Sequence, residues 1–135
     1  MRIMAVDYGE ARSGVALSDP TGLIAGEAFT VFEKDMSKLS EKLCALCRER
    51  DVGHIVVGNP KHMNADEGER SAVSKRLAKR LEDALKIPVT LWDERLTTVD
   101  AHRILNETNR RGKKRRDTVD AVAASLILEG FLRTL

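Results

Sequence analysis

Apolar positions recur along this chain with two periods, one near two residues and one near 3.6, and the change from one to the other divides it. Ile3 to Val6 is a short apolar run. Asp7-Tyr8-Gly9-Glu10-Ala11-Arg12 interrupts it, and Gly14 to Leu17 resumes an extended pattern, which predicts a hairpin. Asp19-Pro20-Thr21-Gly22 supplies a further turn, and a third strand is expected over Glu27 to Phe32. A helix is predicted near Asp35 to Arg50, followed by His54-Ile55-Val56-Val57-Gly58, apolar enough for a strand covered on both faces. After the polar segment Asn59 to Gly68, the positions Val73, Leu77, Leu81, Ala84 and Leu85 mark a second helix. Pro88 to Asp93 reads as the fifth strand. Thr97 or Thr98 would cap a third helix with Asp100 in its first turn. The last helix is expected from about Asp117 to Leu132, its apolar face carried by Val119, Ala123, Leu126, Ile127 and Phe131.

This order, βββαβαβαα with a basic loop before the last helix, predicts an α/β fold with a five-stranded mixed sheet flanked by helices. Three antiparallel strands would join two parallel ones reached by right-handed crossovers. Ligands on such sheets collect where the strand order reverses, at the carboxyl ends of the strands. Asp7 and Glu94 fall at two such ends.

At 135 residues with 42% hydrophobic and 33% charged, the chain is expected to form a single domain over residues 1–135, able to bury a core without disulfides. The apolar runs are too short to span a bilayer. The amino terminus meets Asp7 and Gly9 before any export signal could form, so a cytoplasmic address follows by default. Cys44 and Cys47 form a Cys-x-x-Cys, but Leu39, Leu43, Leu46 and Cys47 trace one helix face. With no second pair and His54, His62 and His102 scattered, these thiols are expected to pack in the core rather than bind zinc.

The net charge of +2 conceals an uneven distribution. Asn109 to Arg116 holds six of the 23 basic residues, leaving 17 against 21 acidic ones elsewhere. Arg110, Arg111, Lys113, Lys114, Arg115 and Arg116 would attract phosphates at low salt, unless the run is merely solvated.

Three groups carry candidate chemistry. Asp7-Tyr8-Gly9, with Arg12 and Gly14, puts a carboxylate at a strand end beside glycines that admit a backbone or phosphate. Trp92 to Thr98 packs Asp93, Glu94 and Arg95 into the exit from a buried strand. Asp117 and Asp120 open the last helix, where Ala123 and Ala124 allow close packing on the sheet, so Asp120 can lean toward Asp7 and Glu94. Clustered carboxylates repel and persist if divalent cations neutralise them, and hard oxygen donors suit Mg²⁺ or Mn²⁺. Each group has a plainer reading: a turn aspartate bonded to its own backbone, a surface ion pair, and for Asp117 a favourable charge in a first helical turn, which is preferred. Arg12 and Arg95 equally suit ion pairs with the carboxylates. Trp92 is expected in the core of a central strand rather than stacked on a base.

The combination Asp7-Tyr8-Gly9 with Arg12, Gly14 and Val15, then Val57-Gly58-Asn59-Pro60, Asp93-Glu94-Arg95-Leu96-Thr97-Thr98, and Asp120-Ala-Val-Ala-Ala with Ile127-Leu128, resembles the motifs of the YqgF/RuvX family over nearly the whole chain. The resemblance implies a ribonuclease H-like fold related to Holliday-junction resolvases. It also implies a nuclease that matures the 5′ end of the small-subunit ribosomal RNA precursor. Carried over by motif, Asp7, Glu94 and Asp120 would be the catalytic acids and the ligands of Mg²⁺ or Mn²⁺, with Arg12, Arg95 and the basic run holding phosphates. Two departures stand out. Asn59 replaces the leucine usual after the fourth strand. Where resolvases carry an acid at the end of that strand, this chain has Gly58-Asn59-Pro60, so Glu94 would substitute and the metal count is open.

The leading expectation is therefore a metal-dependent nuclease acting on structured RNA as a monomer or homodimer. A related alternative keeps the chemistry and takes branched DNA, and a different one is a non-catalytic factor that binds nascent ribosomal RNA. Actin-like ATPases share the Asp-x-Gly pattern but need two such domains, more than 135 residues supply.

Overall fold

The computed structural model describes residues 1–59, 65–94 and 112–135, and the backbone alone for 65–70 and 112–118. Five strands, β1 (Arg2–Asp7), β2 (Arg12–Ser18), β3 (Ala25–Phe32), β4 (Val52–Asn59) and β5 (Val89–Asp93), form one sheet in the order β3-β2-β1-β4-β5. β1 and β2 pair antiparallel, as do β2 and β3, whereas β1, β4 and β5 run parallel. Helices α1 (Met36–Arg50), α2 (Ala65–Leu85) and α3 (Gly112–Leu132) cover the two faces. The expected mixed sheet is present. The helix expected after Thr97 lies outside the described residues.

Strand alternation sorts the core into two halves. Met4, Val6, Val15, Leu17, Ile55 and Val57 point to one face, against Leu39, Leu43, Cys44 and Cys47 of α1 and Leu77, Ala78 and Leu81 of α2. Ile3, Ala5, Ala16 and Val56 point to the other, against Ala124, Ile127, Leu128 and Phe131 of α3, together with Trp92. Both thiols are free and buried, as expected, and burial pushes Cys47 up to about 12. The turn at Asp19 is also as read. Its carboxylate accepts from the backbone N–H groups of Leu23 and Ile24 at 2.8 and 2.9 Å, and Gly22 adopts φ 76°. Asp35 caps α1 by accepting from Lys38 N–H at 2.9 Å.

Four expectations need correction. α2 begins at Ala65, so Asp66, Glu67 and Gly68 are helical rather than part of a polar segment, and Asn59 is the buried last residue of β4. α3 begins at Gly112, so residues 113–116 lie in helix and not in a loop, and Asp117 falls in the second turn rather than the first. Lys and Arg are good helix formers, and their propensity outweighs the unfavourable meeting of cations with a helix amino terminus. The buried stripe of α3 is Ala124, Ile127, Leu128 and Phe131, rotated from the expected one, while Val119, Ala123 and Leu126 are half-buried. Finally, β5 is an edge strand, not a central one. Trp92 is buried there because the ring of Phe131 meets it edge-on at 6.2 Å and α3 covers it. Among the described residues no helix is long and apolar enough to cross a membrane.

Candidate active site

The alternation that builds the core also gathers the acids. Ile3 and Ala5 face α3, so Asp7, two residues further along β1, faces the same way. Trp92 on β5 faces α3 too, and Glu94, two residues on, follows it just past the strand end. Asp120 comes from α3 itself. β1 and β4 are parallel neighbours, with β1 returning antiparallel into β2, so the three carboxylates come from the region where the sheet order reverses.

The carboxyl of Asp7 lies within hydrogen-bonding reach of that of Glu94. Burial raises the pKa of Asp7 well above the ordinary carboxylate value. The charge of Glu94, the hydrogen bond to it and the charge of Asp120 push in the same direction. Asp120 takes a different partner: Arg12 Nε lies 2.7 Å from its Oδ2. Arg12 opens β2 and stays about one-third exposed, with a side-chain accessibility of 35%, so the pair lies at the mouth of the site. Ser13, buried beside it, accepts from Gly9 N–H at 3.1 Å and holds the β1–β2 turn.

Two glycines make room for this arrangement. A Cβ on Gly14, the cross-strand partner of Asp7, would lie 1.9 Å from the backbone oxygen of Asp120, so its absence lets α3 sit against β2. Gly58 of β4 lies on the α3 face between Val56 and the site, and a Cβ there would be 3.0 Å from Glu94 Oε1. The missing fourth-strand acid is thus a missing side chain, and the space beside it is occupied by the carboxyl of Glu94 from the next strand. Asn59 faces the opposite side, where its Oδ1 accepts from Ser71 Oγ of α2 at 2.7 Å. That bond ties α2 to the strand end and keeps the amide away from the acids.

The structure therefore brings Asp7 and Glu94 together and places Asp120 near enough to act on Asp7 through its charge, with Arg12 upon it. Among the described residues no three acids, histidines or cysteines are gathered closely enough to enclose an ion as they stand. The donor chemistry of the Asp7–Glu94 pair nonetheless fits a hard divalent cation, which would offset the repulsion between the two carboxylates. Arg95, Arg110 and Arg111 lie outside the described residues, and Lys113, Lys114, Arg115 and Arg116 fall in the first two turns of α3. The parity of Asp7 and Glu94 with their buried strand neighbours was a signal in the sequence for their common face. The partnership of Arg12 with Asp120 was open there, and the exposure of Phe32 at the end of β3 had no signal.

An α/β sheet in this order, with acids at the switch point, defines the ribonuclease H-like class of folds. RuvC from T. thermophilus, solved with a Holliday junction substrate, shares it at a TM-score of 0.68 with 9% identity, over 99% of this chain and 96% of that one. The Fowlpox virus resolvase, solved with Holliday junction DNA, does so at 0.60 with 10% identity, over 99% and 98%. Within that class, residues 1–134 match the model of the family described as RuvX, Holliday junction resolvase, and the chain belongs to this family. Relatives named "Putative pre-16S rRNA nuclease" include one from Oceanobacillus iheyensis, 41% identical over 98% of both chains. Another, from Clostridium novyi, is 40% identical over 100% of both, and one from Syntrophus aciditrophicus is 46% identical over 98% of this chain and 88% of its own.

Proposed function

We propose that this protein is a metal-dependent nuclease that hydrolyses phosphodiester bonds and acts on the 5′ end of the 16S ribosomal RNA precursor. The observation that carries the reading is the Asp7–Glu94 carboxyl pair, half-buried at the switch point with Asp120 close by. Two carboxyls held in contact at a strand end, at the expense of raising one pKa, form a poor structural element and a good cation site. The family and the names of its relatives support the reaction class and the RNA substrate.

Asp7, Glu94 and Asp120 are the residues that would hold Mg²⁺ or Mn²⁺, and the ion would supply Lewis acidity toward the phosphate oxygens. The chain does the rest. Asp7 and Glu94 present carboxylate oxygens from two fixed strand ends. Arg12 holds Asp120 through Nε and has further N–H donors with which to meet a phosphate at the open edge. Lys113, Lys114, Arg115 and Arg116 precede Asp120 on the same helix, and with Arg95, Arg110 and Arg111 they are assigned to the flanking phosphates of the substrate.

Branched DNA is the second substrate reading, favoured by the family description and by the fold shared with RuvC. The test is to incubate wild type and Asp7→Asn with precursor ribosomal RNA and with a four-way DNA junction, each with Mn²⁺, Mg²⁺ or chelator, and map the ends. Metal-dependent ends on the RNA that disappear in the variant are expected. Cleavage of the junction alone would move the substrate to DNA. RNA bound equally by both proteins and cut by neither would replace the nuclease with an assembly factor.

A further inference from the structure

The chain has five aromatic residues, one Trp, one Tyr and three Phe, and all lie among the described residues. Trp92 and Phe131 are buried, and Tyr8 and Phe29 pack against the core. Phe32 alone of the five is exposed, at 58%. It is the last residue of β3 and the direct cross-strand partner of Arg12, so it stands on the same sheet edge as the acids.

Its surroundings are shaped. Phe29 and Val31 pack toward α1 and α2, so Ala28, Thr30 and Phe32 face the α3 side of the sheet. There they and Ala121, Val122 and Ser125 of α3 line a groove of about 430 Å³. None of its lining residues is charged, although it begins one residue from Asp120 on one wall and opposite Arg12 on the other. Phe29 also lines it, so that Phe29, Phe32 and Val122 are its large apolar members and the rest are small, with Phe32 the exposed one of the two rings. Such a groove refuses a phosphate and accepts a flat, weakly polar ring.

We propose that this groove is a stacking subsite for one unpaired nucleobase of the substrate, next to the phosphate that is cut, with Phe32 as its platform. The proposal rests on the nuclease reading of the acidic edge and deepens it by naming the substrate feature read beside that edge. Arg12 and Phe32 are opposed on neighbouring strands, with Cα atoms about 5 Å apart. A phosphate held at Arg12 therefore leaves its attached base within reach of Phe32. Stacking on an aromatic ring tolerates any base, and the hydroxyls of Thr30 and Ser125 are the lining groups able to discriminate among base edges. The subsite predicts a preference for single-stranded or unpaired nucleotides over continuous duplex.

The test uses the whole protein in chelator, so that probes bind without being cut. Labelled hairpins with a single-stranded extension, in RNA and in DNA, and a blunt duplex are titrated against wild type, Phe32→Ala and Phe32→Trp. The expected result for Phe32→Ala is a loss of about tenfold in affinity for the extended probes and none for the blunt duplex, with thermal stability unchanged. Phe32→Trp should bind as wild type, with its added fluorescence quenched by extended probes only. Equal affinities of Phe32→Ala and wild type on every probe would overturn the subsite while leaving the nuclease reading in place. So would a change in sedimentation on Phe32→Ala, which would make the groove a contact between copies. Failure of wild type to bind any probe, together with failure to cut in metal, would remove both.

Discussion

A side chain on Gly14 would place its Cβ 1.9 Å from the carbonyl oxygen of Asp120, so the third turn of the last helix rests directly on the second strand. The obstacle is backbone and not the end of a flexible side chain, so neither partner can yield cheaply. Gly14→Ala is expected to lower the unfolding free energy by about 1–3 kcal/mol in denaturant titration. It should also displace Asp120, with cleavage falling further than in Ile127→Val, a variant trimmed on the same helix at a comparable or smaller cost. Wild-type stability in Gly14→Ala would show that α3 does not seat as described.

Gly58 offers the complementary experiment. Its Cβ would meet Ile127 Cδ1 at 2.7 Å, which can move aside, and Glu94 Oε1 at 3.0 Å, which is held by Asp7. Replacing glycine by alanine also stiffens the unfolded chain, which offsets part of the crowding. Gly58→Ala should therefore change the denaturation midpoint little while reducing cleavage at least tenfold. A variant that loses stability and activity in proportion would contradict the assignment of this space to Glu94.

Asp7 is expected to act against the fold at neutral pH. Its pKa is raised in the folded state, chiefly by burial, so the folded protein binds the proton more tightly than the unfolded chain. Its contribution is fully favourable below the unfolded value and is lost as pH rises toward the folded one. Asp7→Asn, which keeps the shape and the hydrogen bond but cannot ionise, should melt higher than wild type at pH 7.5, with the difference shrinking toward pH 4. A variant less stable than wild type at pH 7.5 would show that the carboxyl is accommodated as an anion.

Much of this was readable before the fold was known, for identifiable reasons. The strands were legible because β1 and β4 are covered on both faces, and their apolar runs are too short for helices, rich in β-branched residues and bounded by glycine or polar residues. The acids stood out because Asp7 and Glu94 sit where such runs end. What escaped was whatever depends on neighbours distant in sequence. Nothing near Gly58 says that Glu94, 36 residues on, takes up the room it leaves, and nothing near Arg12 distinguishes Asp120 from a phosphate as its partner. The start of α3 at Gly112 differs from the expected Asp117 because a run of cations reads as a solvated loop, although Lys and Arg are good helix formers. Trp92 was correctly read as buried but for the wrong reason, since an edge strand buries it only with Phe131 laid against it.

His54 provides a second pH handle, far from the acids. It opens the central stretch of β4, shares a hydrogen bond of 2.8 Å with Thr90 Oγ1 and lies 5.1 Å from the ring of Phe131. Burial lowers its pKa, so the unfolded chain takes up a proton that the folded one resists. That stability is present above the unfolded value near 6.5 and is lost as pH falls below it. Between pH 7.5 and 5.5, wild type should lose more unfolding free energy than His54→Gln, which retains a partner for Thr90. Parallel losses in the two proteins would assign the pH dependence elsewhere.

The central claim is that Asp7 and Glu94 together would hold a divalent cation on which strand cleavage depends, and it is tested most directly by single-turnover cleavage of precursor ribosomal RNA across a Mn²⁺ titration. Wild type, Asp7→Asn and Glu94→Gln are compared, each first shown to be folded by its denaturation curve. The account predicts saturable, metal-dependent cleavage by wild type and a loss of at least a hundredfold in both variants that added Mn²⁺ does not restore. Cleavage at the wild-type rate by either variant, or cleavage indifferent to chelator, would contradict it.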